Sequence, residues 1–201
     1  MNTTPPTTRP ARIIVDDVQP VVSGGSPKTI AGDAITVSAT VIRDGHEALR
    51  AVVRHRPEGG TWTEVAMEED PGTDRWHATL VCEEVGDHRF QVEAWTDLFA
   101  SWRHEMARRI EGGQEDLTSE LLEGLAILEA ARLGRSKDPE VTAALATLRS
   151  DAPQDERVAA ALSDAMAAAH TELGPRTERV RSAAFPIIAD RERAAFGTWY
   201  E

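Results

Sequence analysis

The sequence predicts an antiparallel β-sandwich joined to a small antiparallel helical bundle. Three observations carry that prediction. Up to about residue 97, apolar and polar residues alternate in six short runs, separated by turns rich in Gly, Pro and Asp. Between about residues 115 and 172 the apolar residues recur every three or four positions instead. No long helical stretch separates the early strands, which excludes the crossovers that a parallel α/β sheet requires. The change of period falls within Gly86–Gln114, GDHRFQVEAWTDLFASWRHEMARRIEGGQ.

Residues 1 to 11 are Pro/Thr-rich and read as disordered, because prolines remove donors and the segment has nothing to bury. ARIIVDDV (11 to 18) reads as a first strand, and Pro20 with SGGSP (23 to 27) as a loop. In AITVSATVIRD, Ile35, Val37, Ala39 and Val41 form one face and Thr36, Ser38 and Thr40 the other. After the Asp44-Gly45 turn, Leu49, Ala51 and Val53 oppose Arg50, Val52 and Arg54. Glu58-Gly59-Gly60 leads into TWTEVAM (61 to 67), and EEDPGTD (68 to 74) is an acidic turn. RWHATLVC places Trp76, Ala78, Leu80 and Cys82 inward. In the last of the six, Phe90, Val92 and Ala94 point one way and Arg89, Gln91 and Glu93 the other, as in a half-buried strand.

LFASWRHEMARRI (98 to 110) fits two states: Trp102, Met106 and Ile110 suit a helix, and Phe99, Ser101 and Arg103 an extended edge. Beyond it, Leu117, Leu121, Leu125 and Leu128 form a helical stripe, with Asp116 or Ser119 as cap. Asp138-Pro139 starts a second helix, carrying Val141, Leu145 and Leu148. After Pro153, Val158, Leu162 and Met166 repeat the stripe in a third. Such helices on short loops pack most economically as an antiparallel bundle. From Val180 the pattern reads as strand again, through Pro186-Ile187-Ile188 to AAFGTWYE, and an end on Trp199-Tyr200-Glu201 reads as a cut rather than a natural terminus.

Thirty-four Asp and Glu against 22 Lys and Arg leave a formal charge of −12 in 201 residues. That balance argues against general binding to nucleic acid or an anionic membrane, both of which reward basic patches. The single cysteine, Cys82, excludes an intrachain disulfide and a multi-cysteine metal site, and fits a reducing compartment. No signal-like or membrane-spanning run is present, so the expected location is cytoplasmic.

Chemistry-bearing motifs are few. Gly24-Gly25 and Gly59-Gly60 lack the lysine and helix start of a phosphate loop. The six histidines are scattered; His77 and His88 flank a turn but fall in opposite alternation classes, which argues against a shared metal. Cys82 reads as an apolar filler. Glu68, Glu69 and Asp70 are solvated turn acids, unlike the opposed carboxyls that sugar hydrolysis or transfer needs. No residue is therefore assigned a catalytic, cofactor-binding or metal-ligating role, and no cofactor is expected. Five tryptophans remain: Trp76 reads as core, while Trp62 and Trp95 fall with polar classes and read as exposed. Exposed indoles would suit a carbohydrate-binding module, or an interface between domains or subunits.

Several segments together resemble the N-terminal part of the bacterial α-1,4-glucan:maltose-1-phosphate maltosyltransferases. They are RIIVDDVQPVVSGG (12 to 25), VSATVIRDGHEAL (37 to 49), DRWHATLVC (74 to 82), FQVEAWTDLFASWRHEMARRI (90 to 110) and DRERAAFGTWYE (190 to 201). VEAWTD followed closely by WRH is the most specific. The resemblance implies an immunoglobulin-like β-sandwich with an inserted helical bundle: sandwich 11–112 completed by 178–201, insertion 113–177. It also favours an extended strand for 98–110, and makes WTDLFASWRH a packing seam between the units. In that family a following (β/α)8 barrel, absent here, transfers maltosyl units from maltose 1-phosphate to an α-1,4-glucan and binds both. No residue of this sequence matches the barrel's catalytic motifs. The implied role is a non-catalytic scaffold that helps form a homodimer; the alternative is a carbohydrate-binding β-sandwich module.

Overall fold

The computed structural model describes residues 11–191. The Pro/Thr-rich residues 1–10, the terminal run through AAFGTWYE and Trp199 lie outside the described residues. The chain divides into two compact units, one running up to Trp95 and resuming at Glu178, the other spanning Thr96–Thr177.

The first unit is two packed β-sheets. Its strands are β1 (Ile13–Gln19), β2 (Lys28–Ile30), β3 (Ala34–Arg43), β4 (Leu49–Pro57), β5 (Thr63–Ala66), β6 (Glu68–Glu69), β7 (Arg75–Val81), β8 (Gly86–Thr96), β9 (Thr177–Arg181) and β10 (Phe185–Asp190). One sheet has the order β1-β3-β7-β6 and the other β2-β10-β8-β4-β5, with β9 also paired to β8. Pairing is antiparallel in the first sheet. In the second, β10 runs antiparallel to β8 and parallel to β2. Alternation sets which residues face the other sheet: Val37, Ala39 and Val41 from β3, Ala78 and Leu80 from β7, Ala51 and Val53 from β4, Phe90, Val92 and Ala94 from β8 are all buried in one core. Each large side chain so buried contributes about 1.5–3 kcal/mol relative to exposure.

Two features of β8 differ from the sequence reading. The strand is buried on both faces, with Gln91, Glu93 and Trp95 no more than 9% exposed. Glu93 tolerates full burial because Arg181 of β9 donates to its carboxylate and Arg54 Nη1 lies 3.9 Å away. That partner sits 88 residues downstream, so alternation alone could not reveal it. Trp95 is correspondingly core-like rather than exposed.

After the helices the chain returns to β8. Ser182 N–H donates to Val92 O at 2.9 Å, and Val92 N–H donates to Ser182 Oγ at 3.0 Å. Glu178, at φ +54°, is held by Arg43, whose side chain is only 4% exposed and donates to its carboxylate at 2.6 Å.

The second unit is helical: α1 (Leu98–Glu111), α2 (Thr118–Ala130), α3 (Pro139–Arg149), α4 (Gln154–Ala161) and α5 (Asp164–Leu173), with a 3₁₀ turn at Leu133–Arg135. Residues 98–110 are therefore helix, and the extended strand favoured by the resemblance is corrected. Asp97 caps the helix by accepting from Ala100 N–H at 2.9 Å. Phe99, Trp102 and Met106, spaced three and four apart, go into the helical core. The helix stops where Gly113 adopts φ +75°, so that Gly113 N–H reaches Ile110 O and Gln114 N–H reaches Arg109 O, each at 3.0 Å.

Asp138 caps α3 through Glu140 N–H at 2.8 Å, as the Asp-Pro signal requires. Asp116 accepts from Thr118 N–H at 2.9 Å and so serves the start of α2. The single third helix read from the sequence is two, because Ser163 caps a new start by accepting from Met166 N–H. No described helix is long and apolar enough to cross a membrane.

Candidate functional site

The sandwich unit brings three chemistry-bearing side chains together in its interior. His55 lies near the end of β4, His88 near the start of β8, and Cys82 directly follows β7. All three are buried, Cys82 completely. Each occupies the inward phase of its strand, His55 in step with Val53, His88 with Phe90 and Cys82 with Leu80. Because β4 and β8 are neighbours in one sheet and β7 belongs to the other, the cluster bridges the two inner faces.

The geometry assigns the protons. His88 Nε2 lies 2.7 Å from Glu84 O, a carbonyl that can only accept, so Nε2 carries a hydrogen. In the neutral ring Nδ1 is then the acceptor. It faces His55 Nε2 at 2.9 Å, which makes His55 the donor. The rings are inclined by only 12°, as an in-line N–H···N bond allows. Cys82 Sγ sits 3.6 Å from the same His55 nitrogen. The three potential ligand atoms lie within 4.8 Å of one another, and together they form the one grouping of three His, Cys, Asp or Glu among the described residues that could hold a metal ion.

Burial disfavours charge on Cys82 and His55. Burial pushes the Cys82 thiol up to about 11. Burial first, and the neighbouring His88 charge second, push His55 below its ordinary 6.5. A nucleophilic cysteine needs the opposite, a stabilised thiolate beside a cationic histidine. Cys82 is thus a neutral interior thiol, in keeping with its reading as a filler.

The depressed His55 has a consequence for stability. The unfolded chain binds the His55 proton more readily than the folded one, so stability rises with pH and is lost as pH falls below 6.5 towards the folded-state value. Glu47 adds in the same direction at lower pH: the Arg43 guanidinium holds it at about 2 against an ordinary 4.5, and its partly solvated side chain limits the effect. A thermal melt followed from about pH 7 to about pH 5 is expected to show a falling midpoint, and His55→Gln is expected to flatten that slope.

The residues weighed from the sequence fall elsewhere. His77 is in the other sheet from His88, opposite Ser38 and Glu68, with Nδ1 3.0 Å from Asp70, so the two histidines are not cross-strand neighbours. Glu68 and Glu69 are exposed as expected, but they form the short strand β6 rather than a turn. Trp62 is half-buried rather than exposed, with the guanidinium carbons of Arg54 and Arg56 at 5.1 and 4.8 Å from its ring centroid. Trp76, Trp95 and Trp102 are buried. These three buried tryptophans therefore present no open indole face of the kind that stacking on a sugar requires.

The sequence could have pointed to the cluster through a single test: asking which histidines share the inward phase of their strands. His55 and His88 both pass, and Cys82 with them.

Comparison with known proteins agrees with the segments singled out above. The profile described as "Alpha-1,4-glucan:maltose-1-phosphate maltosyltransferase, domain N/S" matches residues 11–191. Similar relatives include alpha-1,4-glucan:maltose-1-phosphate maltosyltransferase 1 of Streptomyces coelicolor, 42% identical over 94% of this chain and 29% of the relative. A second is maltosyltransferase 2 of the same organism, 40% identical with the same coverage. A third, from Cereibacter sphaeroides, is 35% identical over 95% of this chain and 32% of its own length. The chain spans about a third or less of the curated relatives it matches. Its described strands form open sheets rather than a closed barrel. The chain, matched along its whole described length, belongs to the N/S-domain family of the α-1,4-glucan:maltose-1-phosphate maltosyltransferases.

Proposed function

We propose that this chain is the non-catalytic scaffold and dimerisation part of a cytoplasmic maltosyltransferase that transfers maltosyl units from maltose 1-phosphate to α-1,4-glucans. The observation that carries the reading is the N/S-domain match over residues 11–191. The burial of the His55–Cys82–His88 cluster, with the Cys82 thiol pushed up to about 11, supports it, since a reacting group must meet both its substrate and a proton acceptor. In this reading the two sheets form an immunoglobulin-like sandwich that interrupts itself for the helices, and a separate catalytic part binds both substrates.

Dimerisation draws support from the outer face of β1 and β3. Ile14 and Ile42 are cross-strand partners there and stand 56% and 42% exposed. An apolar pair held on a rigid sheet suits a subunit contact better than a solvent face.

Phosphate release from maltose 1-phosphate in the presence of glycogen tests the catalytic half of the proposal. The isolated chain is expected to give the rate of the enzyme-free blank. Turnover above that blank would sink the reading.

A further inference from the structure

We propose that His55, Cys82 and His88 form a binding site for one thiophilic d¹⁰ cation, Cu(I) in preference to Zn(II), held by a thiolate sulfur and two imidazole nitrogens. The donor set is the first argument. One sulfur and two imidazole nitrogens converge within 4.8 Å, and thiolate with imidazole is the combination that selects copper or zinc over harder ions. The Cys82 Sγ to His55 Nε2 spacing of 3.6 Å is close to the sulfur–nitrogen separation of a trigonal metal site, about 3.7 Å for bonds of about 2.0 and 2.3 Å.

Orientation is the second argument. A ligating imidazole is normally held by a hydrogen bond from its other nitrogen to a carbonyl or carboxylate. His88 has that arrangement: Nε2–H donates to Glu84 O at 2.7 Å, which aims the Nδ1 lone pair into the cluster.

The third argument is the setting. The ligands rest on strands of two sheets and on the turn that links Cys82 to His88, so their positions are fixed by the sandwich. That turn carries Glu83, Glu84 and Asp87, all exposed, which places a negative rim at this end of the sandwich. The donor set has three members and is closed to solvent, conditions that suit three-coordinate Cu(I) better than Zn(II), which takes four ligands.

The His55–His88 nitrogens now stand 2.9 Å apart, the length of the hydrogen bond between them. Sharing an ion in a trigonal arrangement requires about 3.5 Å, so the rings separate by about half an ångström on binding. The proton balance closes without redox chemistry. His55 moves its proton from Nε2 to Nδ1, the Cys82 S–H bond breaks, its proton passes to solvent, and the metal–sulfur bond takes its place.

The test is titration of the reduced chain with Cu(I), and separately with Zn(II), each against a competing chromophoric chelator. The expected result is one equivalent of Cu(I) per chain, a thiolate-to-copper ultraviolet band, and X-ray absorption fitting one sulfur and two nitrogens. Cys82→Ala and His88→Gln are each expected to weaken binding by more than about tenfold, with circular dichroism confirming the fold. Tighter binding of Zn(II) than of Cu(I) would overturn the proposed choice of metal. Absence of stoichiometric binding by either ion, or X-ray absorption without a sulfur neighbour, overturns the proposal. The absorption measurement is made on the unmutated chain and so stands even if both variants unfold.

Discussion

Phe90→Ala is expected to destabilise the sandwich unit by about 3–5 kcal/mol, the range for truncating a fully buried aromatic. Phe90 has no solvent exposure, and its ring lies 5.6 Å from that of Phe185 on β10, its register partner. The truncation therefore removes apolar burial and a contact between β8 and the strand that returns after the helices. Small domains have only about 5–15 kcal/mol of net stability, so a loss of this size leaves a large unfolded population on mild heating. Urea unfolding followed by circular dichroism checks it, with the midpoint falling and the slope unchanged. A loss below about 1 kcal/mol would mean that the ring is not part of a close-packed core.

Trp102→Ala is expected to cost the helical unit about 3–5 kcal/mol by the same argument. The indole is 5% exposed, lies 5.4 Å from the Phe99 ring, and donates Nε1–H to Glu120 O at 2.8 Å. Its other close neighbour is a glycine. A Cβ added at Gly124 would fall inside van der Waals contact with the indole carbons, so α2 approaches α1 closely because position 124 has no side chain. This makes a double-mutant cycle diagnostic. Gly124→Ala alone should destabilise by about 1–3 kcal/mol through overpacking. With Trp102 already alanine, the same change should be neutral or stabilising by up to about 1 kcal/mol, the ordinary helix preference for alanine over glycine. Helical ellipticity in urea measures both. Equal effects in the two backgrounds would contradict the contact.

How much of this was legible in the sequence depends on how far apart the deciding partners lie. Strand β3 was readable because its β-branched alternation is local: Val37, Ala39 and Val41 are buried as their phase requires. The start of α3 was readable because Asp138 and Pro139 act on the next two residues. The split between α4 and α5 was equally local, since Ser163 caps a new turn, but the surrounding alanines read as one continuous helix.

Helix α1 was misread for a different reason. Its residues fit two states, with Trp102, Met106 and Ile110 spaced for a helix and Phe99, Ser101 and Arg103 for an extended edge, and the family resemblance tips the reading to strand. The structure sides with the helical spacing, starting from Phe99 and leaving Ile110 42% exposed. Burial of Glu93 was beyond local reading, because it depends on Arg181 from across the whole insertion. The His55–Cys82–His88 cluster lay between these extremes. The inward phase of each member was visible, but their convergence depends on β4 and β8 being neighbours and β7 facing them from the other sheet.

The role proposed for this chain is assembly rather than chemistry, and assembly is directly measurable. Static light scattering on the purified chain, diluted in steps to the limit of detection, reads its mass in solution. The expected mass is that of a dimer, twice the 21.9 kDa of one chain, with Ile14→Asp shifting it towards monomer because a charge would then enter the proposed contact on the β1–β3 face. A mass of 21.9 kDa at every concentration would contradict the scaffold role proposed for this chain.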